Sequence, residues 1–198
     1  MEHKVKKPKE KMPLRYVSDT RIKERPLAFV DLEFSGLSAI NEILQIGVVL
    51  VNQPKFEIIG EWQTRVKPRH MENGDRKALE LIGYSARKWK DAIPLKEALM
   101  RFDAFVSGAV LIGYNVVGDF FQLKKSFHQV GIEPSYHWQV LDVQSMIFSD
   151  LYRSHMDGFR MREVVRYFHL KNQQWHDALV DARATYEIFK KLMDRKYE

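Results

Sequence analysis

Two carboxylates, Asp31 and Glu33, directly follow the run Leu27-Ala28-Phe29-Val30, whose apolar character is typical of a buried strand. Both acids are expected at the end of this first strand, and because residues two apart on a strand point to the same face, the two carboxylates are expected side by side. Like charges this close repel unless a cation lies between them, and a hard divalent ion fills that need. The alternative is a loop that begins with two solvated acids.

A third acid, Asp119, follows a predicted strand at 110–114 and opens a predicted helix at 119–130. It lies four and eight residues before Leu123 and Phe127, in line with the apolar face of that helix. Its carboxylate is therefore expected to lean toward the core. The alternative is an acid that the helix dipole favours at a helix N-terminus.

A fourth acid, Asp181, comes five residues after His176. Residues five apart on an α-helix lie about 140° apart around its axis, so these two cannot share one helical face. We expect Asp177 to cap a helix over 177–193, with Asp181 in its first turns and His176 on the loop that enters it. The alternatives are a surface acid near a helix start and a structural or exposed histidine.

Taken together, the four acids and the histidine are the inventory of a two-metal phosphoryl-transfer site. Carboxylate oxygens suit Mg²⁺ or Mn²⁺, and two such ions roughly 3.5–4 Å apart clamp the attacking and leaving oxygens. A histidine that titrates near neutrality can take the proton from the attacking water.

The strands and helices that must position these residues are predicted from hydrophobic periodicity and from turn residues. The predicted strands are 27–30, 43–51, 56–66, 110–114 and 136–141, with a turn at 52–54. The predicted helices are 75–81, 94–106, 119–130 (ended by Gly131), 143–152, 159–168 and 177–193. Three strands joined by short turns, followed by strands that alternate with helices, indicate an α/β domain with a mixed sheet.

Composition indicates one domain at 26–198 behind a basic extension at 1–25, which carries nine Lys or Arg against four acids, +5 of the net charge of +6. That extension is expected to be solvated and flexible, or else to attract phosphates. The sequence has no cysteine, which excludes disulfides and thiolate chemistry, and it has no apolar run of membrane-spanning length. A cytoplasmic protein with no membrane partner is the expectation.

The motifs resemble those of the DEDDh (DnaQ-like) exonucleases, whose best-known member is the proofreading epsilon subunit of bacterial DNA polymerase III. The resemblance runs from residue 27 to residue 193. It rests on three ordered motifs: Asp31-Leu32-Glu33 with Gly36, Gly113-Tyr114-Asn115 with Asp119, and His176, Ala178, Asp181 and Ala182. Residues 42–47 resemble the family's second strand, and Asp142 falls where the family often has an aspartate before a helix.

The resemblance implies a ribonuclease H-like fold, a five-stranded mixed sheet flanked by helices. It implies that four acids ligate two Mg²⁺ or Mn²⁺ ions, namely Asp31, Glu33, Asp119 and Asp181, and that His176 is the general base. The implied reaction is 3′-to-5′ hydrolysis of terminal phosphodiester bonds, which releases nucleoside 5′-monophosphates from single-stranded nucleic acid.

The substrate is less closely indicated than the chemistry. DNA is favoured, for a stand-alone enzyme or one that proofreads beside a polymerase subunit. Because residues 31–37 are also similar to oligoribonucleases, an RNA-trimming enzyme is the alternative, and a catalytically silent nucleic-acid-binding module is another. Candidate substrate contacts are Leu32, Phe34, Leu37 and Asn115; Phe34 and Leu37 can equally be core residues. A basic stretch at Arg65, Lys67, Arg69, Arg76 and Lys77 either tracks a phosphate backbone or is a solvated surface.

Overall fold

The computed structural model describes residues 21–154, 156, 158–171 and 175–195. Most of the predicted extension at 1–25 therefore lies outside the described residues. Its last residues contain a short 3₁₀-helix at Ile22–Glu24, and Ile22 packs against the core. Arg25 donates a hydrogen bond of 2.9 Å to the carbonyl oxygen of Gly108. These residues lie against the domain, and the boundary at residue 26 stays a prediction.

The described chain contains the predicted five-stranded mixed sheet, with its strands in the order β3-β2-β1-β4-β5. The pairs β1–β2 and β2–β3 are antiparallel, and β1–β4 and β4–β5 are parallel. The strands are β1 (Leu27–Phe34), β2 (Ile43–Val51), β3 (Ile58–Arg65), β4 (Val110–Gly113) and β5 (Val140–Asp142).

Helices cover both faces of this sheet. They are α1 (Arg76–Leu81), α2 (Leu95–Phe105), α3 (Val117–Val130), α4 (Val143–Leu151), α5 (Met161–Tyr167) and α6 (Ala178–Arg195). One face of β1, with Leu27 and Phe29, packs against α4, α5 and α6. The other face, with Val30 and Leu32, packs against α2 and α3. Burial on both faces explains the continuous apolar run that predicted this strand. None of the described helices is long and apolar enough to cross a membrane.

Several predicted boundaries differ from the structure. The first strand extends beyond its apolar run, and Asp31 and Glu33 lie near its end as predicted, where they pair with Gly47 and Gln45 of β2. Helix α3 begins two residues before Asp119, at Val117. The predicted end of α3 is confirmed, since Gly131 adopts the left-handed conformation (φ 69°) that favours glycine after a helix.

The fifth strand is shorter and later than the predicted 136–141. It covers Val140–Asp142, and the residues before it do not join the sheet. Tyr136 is buried instead, with its ring edge-on to those of Phe102 and Phe127 at centroid distances of 6.3 and 5.9 Å. An aromatic residue that packs in a loop carries the same local signal as one in a strand.

Candidate active site

The carboxyl end of β1 supplies two of the candidate acids. On β1, Asp31 and Glu33 lie on the same face as Leu27 and Phe29, which is the face toward α6. On that face, the ring centroids of Phe29 and Phe189 are 5.2 Å apart. The strand alternation that buries the apolar residues at one end of this face thus places both carboxylates at the other end.

Asp119, in the first turn of α3, is joined directly to β1. Its Oδ1 accepts a hydrogen bond of 3.0 Å from the main-chain N–H of Leu32, the residue between Asp31 and Glu33. The predicted lean of this carboxylate toward the core is confirmed. The bond links residues 87 positions apart and fixes the start of α3 against the end of β1.

The start of α6 has the predicted arrangement. Asp177 caps the helix by accepting from the main-chain N–H of Val180 at 3.3 Å, and α6 begins at Ala178. Asp181 is buried, with 7% of its surface exposed. His176 lies on the entering loop in a left-handed conformation (φ 63°), and its N–H donates to Oδ2 of Asp181 at 2.9 Å.

A glycine in β2 allows α6 to approach the strand that carries the acids. Gly47 pairs with Asp31, and a Cβ on Gly47 would stand 2.2 Å from the carbonyl carbon of Ala178. No side chain fits in that space. The absence of one brings the first turn of α6, with Asp181, beside Asp31.

The structure brings the five predicted residues together. Ligand atoms of Glu33, His176 and Asp181 all lie within 4.8 Å of one another, and Nδ1 of His176 is 4.0 Å from Oε1 of Glu33. Asp31 and Asp119 are close enough to these groups that the charges of the acids act on one another's titration.

This crowding of acids is visible in their pKa values. Burial raises the pKa of Glu33 to about 8, and the charges of Asp181 and Asp119 contribute. Burial also raises the pKa of Asp31 well above its usual value, and Asp119 and Glu33 raise it further. The pKa of Asp119 is raised to about 7 by burial, against the lowering effect of its bond from Leu32.

The donor set fits a hard divalent cation. Four carboxylates supply the oxygen ligands that Mg²⁺ and Mn²⁺ prefer. Acids with pKa values this far above normal favour the protonated form, and a cation between them would relieve both the repulsion and the burial of unpaired charge.

His176 has two different neighbours on its ring. Nδ1 faces Glu33, and Nε2 lies 3.0 Å from Nη2 of Arg162 in α5. Burial lowers the pKa of His176, and the charge of Arg162 lowers it further. The ring is therefore neutral at pH 7, which is the state that a general base requires.

A cavity of about 380 Å³ opens beside these residues. Its lining includes the polar residues Glu33 and His176 and the apolar residues Phe34, Leu37 and Leu81. Leu37 is 95% exposed and Leu81 is 59% exposed, so the mouth of the cavity is an apolar surface open to solvent.

The predicted substrate contacts divide into two groups. Phe34 and Leu37 line this cavity. The side chain of Leu32 is buried in the core, and only its main chain is near the acids. Asn115 is exposed, in the left-handed conformation (φ 58°), on the loop between β4 and α3, away from the cavity lining. Among the residues of the basic stretch, Lys77 reaches the cavity, whereas Arg65 stacks on Trp89.

Three residues that lie near the site were not predicted to belong to it. Asp177 is a cap, as predicted, but its charge also raises the pKa values of Asp31 and Glu33. Gln45 is buried opposite Glu33, and its Nε2 donates to Oδ2 of Asp177 at 3.4 Å. A glutamine inside an apolar strand was an available signal. Arg162 carried no signal in the sequence, because helix α5 has many charged residues.

Asp142, expected before a helix, caps α4. Its Oδ1 accepts from the N–H of Ser145 at 2.7 Å, and its Oδ2 accepts from the N–H of Val116 at 2.8 Å. It thereby ties the loop that leads to Asp119 to the end of β5.

Comparison with known proteins identifies relatives of this chain. The RNase_T family model, described as exonuclease, matches residues 28–189. The DNA polymerase III PolC-type of Caldanaerobacter subterraneus subsp. tengcongensis is 29% identical over 170 residues, which cover 85% of this chain and 12% of that protein. The PolC-type polymerase of Streptococcus thermophilus is 30% identical over 112 residues, or 56% of this chain and 7% of that protein. The chain thus spans only a small part of the length of these relatives.

Two solved structures share the fold. E. coli Exonuclease I in complex with a dT13 oligonucleotide has a TM-score of 0.76 and 18% identity, over 87% of this chain and 42% of that one. The nuclease domain of 3′hExo, described as a DEDDh family member bound to rAMP, has a TM-score of 0.73 and 14% identity, over 90% of this chain and 95% of that one. The ribonuclease H-like fold expected from the sequence is confirmed.

Proposed function

The chain belongs to the exonuclease family, as a 3′-to-5′ exonuclease of the DEDDh type, and from this premise we propose that it removes nucleotides one at a time from the 3′ ends of single-stranded DNA. The observation that carries the proposal is the convergence of four carboxylates from β1, α3 and α6 beside one histidine. The family generally uses divalent metal ions, and two Mg²⁺ or Mn²⁺ ions are the cofactors proposed for this chain.

Asp31, Glu33, Asp119 and Asp181 would hold these ions. When bound, two such ions stabilise the charge that develops on the attacking and leaving oxygens of an in-line displacement. The bond from Leu32 to Asp119 and the bond from His176 to Asp181 orient these two carboxylates.

His176 takes the proton of the attacking water. Nδ1 is the ring nitrogen that faces the carboxylates, so it is the atom proposed to accept this proton. The water oxygen bonds to the phosphorus as the bond from phosphorus to the 3′ oxygen of the preceding nucleotide breaks. A nucleoside 5′-monophosphate leaves, and the shortened strand ends in a 3′ hydroxyl group.

The terminal base fits the cavity beside the acids. Phe34 and Leu37 approach from the β1 side, and Leu81 approaches from α1. Apolar contact with the face of a base is independent of its identity, which suits an enzyme that removes any terminal nucleotide.

DNA is favoured because the relatives with 24–30% identity are DNA polymerases of the PolC type. In those relatives the matching segment is part of a much longer chain, and action beside a polymerase is proposed here on that ground alone. An RNA substrate is the second candidate, because the 3′hExo domain that shares the fold over 95% of its length is bound to rAMP.

Digestion of single-stranded DNA and RNA of one sequence tests this function. The strands are incubated with Mg²⁺, with Mn²⁺ and with EDTA, and the products are separated by chromatography. Nucleoside 5′-monophosphates that appear only with a metal ion, and faster from DNA than from RNA, are expected. A faster release from RNA would select the second candidate, and no release from either strand would contradict both.

A further inference from the structure

Arg162 lies at the edge of the active site, although it belongs to none of the three motifs. Its Nη2 is 3.0 Å from Nε2 of His176, and its guanidinium carbon lies 5.2 Å from the centroid of the Trp175 ring. It extends from α5, which is anchored in the core by the buried residues Val164 and Val165. The side chain itself is exposed, so a ligand in the active site can reach the guanidinium.

The contact between Arg162 and His176 determines where the imidazole carries its proton. A guanidinium has donors and no acceptor, so Nε2 of His176 must accept from it. The proton of the neutral ring is then on Nδ1, the nitrogen that faces Glu33 at 4.0 Å. In this arrangement neither nitrogen is free to accept a proton from water.

We propose that Arg162 binds a backbone phosphate of the substrate strand, and that this binding releases Nε2 of His176. The released ring can carry its proton on Nε2 and use Nδ1 as the base. The proposal deepens the proposed function and rests on it, because it assumes that His176 acts on the strand bound at the acids.

The chemistry of the partners favours this exchange. A neutral imidazole nitrogen takes one hydrogen bond from a guanidinium, whereas a phosphate offers charge and two oxygens that match the guanidinium fork. Stacking on Trp175 keeps the guanidinium near the site while its hydrogen-bond partner changes. A guanidinium at this edge also attracts the phosphates of an approaching strand.

The test compares Arg162→Ala and Arg162→Lys with Arg166→Ala, which removes the same charge one turn further along α5. With single-stranded DNA and saturating metal ion, Arg162→Ala is expected to raise KM about tenfold, the loss of one charge-assisted contact. Its kcat should change by less than about threefold, because the base is already released. The Lys variant should recover part of the KM, and Arg166→Ala should match the wild type.

Salt dependence gives a readout that a merely structural role would not change. One phosphate contact fewer lowers the slope of log binding constant against log salt by about 0.7 for a single strand. The slope is measured by fluorescence anisotropy with a labelled oligonucleotide on the Asp31→Asn background, which prevents turnover. The magnitude of the slope is expected to be smaller for Arg162→Ala than for Arg162, and unchanged for Arg162→Lys.

Two results would overturn the proposal while leaving the proposed function intact. One is an Arg162→Ala enzyme that cleaves DNA with the KM and salt slope of the wild type. The other is a fall in kcat at unchanged KM, which would make Arg162 an orienting partner of His176 only. Wild-type protein that binds DNA and releases no nucleotide with metal present would instead contradict the proposed function.

Discussion

Gly47 of β2 and Ala178 of α6 are in contact through their main chains, so that a Cβ on Gly47 would stand 2.2 Å from the Ala178 carbonyl carbon. Gly47→Ala must therefore push the start of α6 away from β2. We expect a loss of stability of about 1–3 kcal/mol, the usual cost of overpacking, measured by urea unfolding. Activity should fall further than stability alone explains, because Asp181 and His176 move with the helix.

Gly118→Ala is the matched control for stability. Apart from its chain neighbours and the adjoining backbone of its own helix, no heavy atom of the described structure lies within 4 Å of a Cβ placed there, and residue 118 is helical. The substitution should leave stability unchanged or raise it by up to about 1 kcal/mol, the difference in helix propensity. A Gly47→Ala protein as stable as the wild type would contradict the close approach.

Metal-free protein should lose stability as pH rises from about 5 to 8. The folded-state pKa of Glu33 is about 8, above its ordinary value of 4.5, so the folded protein holds a proton in this range that the unfolded chain has released. The free energy of unfolding therefore falls as pH rises, because the folded state binds more protons than the unfolded state. Thermal unfolding in EDTA from pH 5 to pH 8 measures this, and a Tm that rose across that range would contradict it.

Added Mn²⁺ or Mg²⁺ should raise the Tm, and more at pH 8 than at pH 5, because ions that bind only the folded protein stabilise it and protons compete for the same oxygens. Calcium is a useful comparison in the same series, because Ca²⁺ has the same charge as Mg²⁺ and a larger radius. A Tm that no divalent ion changes at pH 8 would count against a metal site at these acids.

Asp31→Asn should separate stability from catalysis. Burial and the charges of Asp119 and Glu33 oppose ionisation of Asp31, so a neutral amide should make the metal-free protein more stable at pH 8. Loss of a metal ligand should lower turnover by at least about 100-fold, because mutation of a residue that only hydrogen-bonds to a metal ligand already lowers metal affinity or activity by about 10–100-fold. Thermal unfolding and nucleotide release are measured on the same sample. A destabilised variant, or one with wild-type turnover, would contradict the assignment.

His176→Ala should lower kcat by about 10²–10⁴-fold, the usual effect of losing a general base. KM should change little, because the imidazole acts on the water and not on the bound strand. His128→Ala, near the other end of α3, is the control and should retain wild-type kcat. Single-turnover rates at saturating enzyme check both variants, and equal rates for the two would exclude His176 as the base.

Leu37→Ala tests the cavity as the site of the terminal base. Loss of this apolar contact should raise KM by roughly 5–30-fold, from about 1–2 kcal/mol for burial of the leucine side chain against the base. Since Leu37 is 95% exposed, its removal should not change the Tm. Met100→Ala, which removes another exposed apolar side chain on α2, should leave KM unchanged. Equal KM values for the two variants would place the base elsewhere.

The five predicted site residues converge in the structure, whereas several boundaries of the elements around them differ from those predicted. Asp31, Glu33, Asp119, His176 and Asp181 were identified because polar groups at strand ends and helix starts interrupt apolar patterns, and such interruptions are local. The pairing of the last residues of β1 with β2 was not predicted, because pairing partners are not visible in a single strand. Tyr136 was misassigned for a similar reason, since its partners come from α2 and α3.

Contacts between distant residues could not be predicted at all. The distance from Arg162 to His176 depends on how α5 packs beside the start of α6, and neither segment indicates the other. The close approach at Gly47 is of the same kind: the sequence shows a glycine in a strand, and only the fold shows the helix that lies against it.

The most direct test of the central claim is the direction and metal dependence of digestion. Single-stranded DNA labelled at the 3′ end or at the 5′ end is incubated with wild-type protein and with Asp31→Asn, with Mn²⁺ or with EDTA. With metal present, we expect the wild type to release labelled mononucleotide immediately from the 3′-labelled strand and to produce a ladder of shortening products from the 5′-labelled strand. We expect neither product with EDTA or with Asp31→Asn. Release of mononucleotide first from the 5′ label, or equal digestion by Asp31→Asn, would contradict this claim.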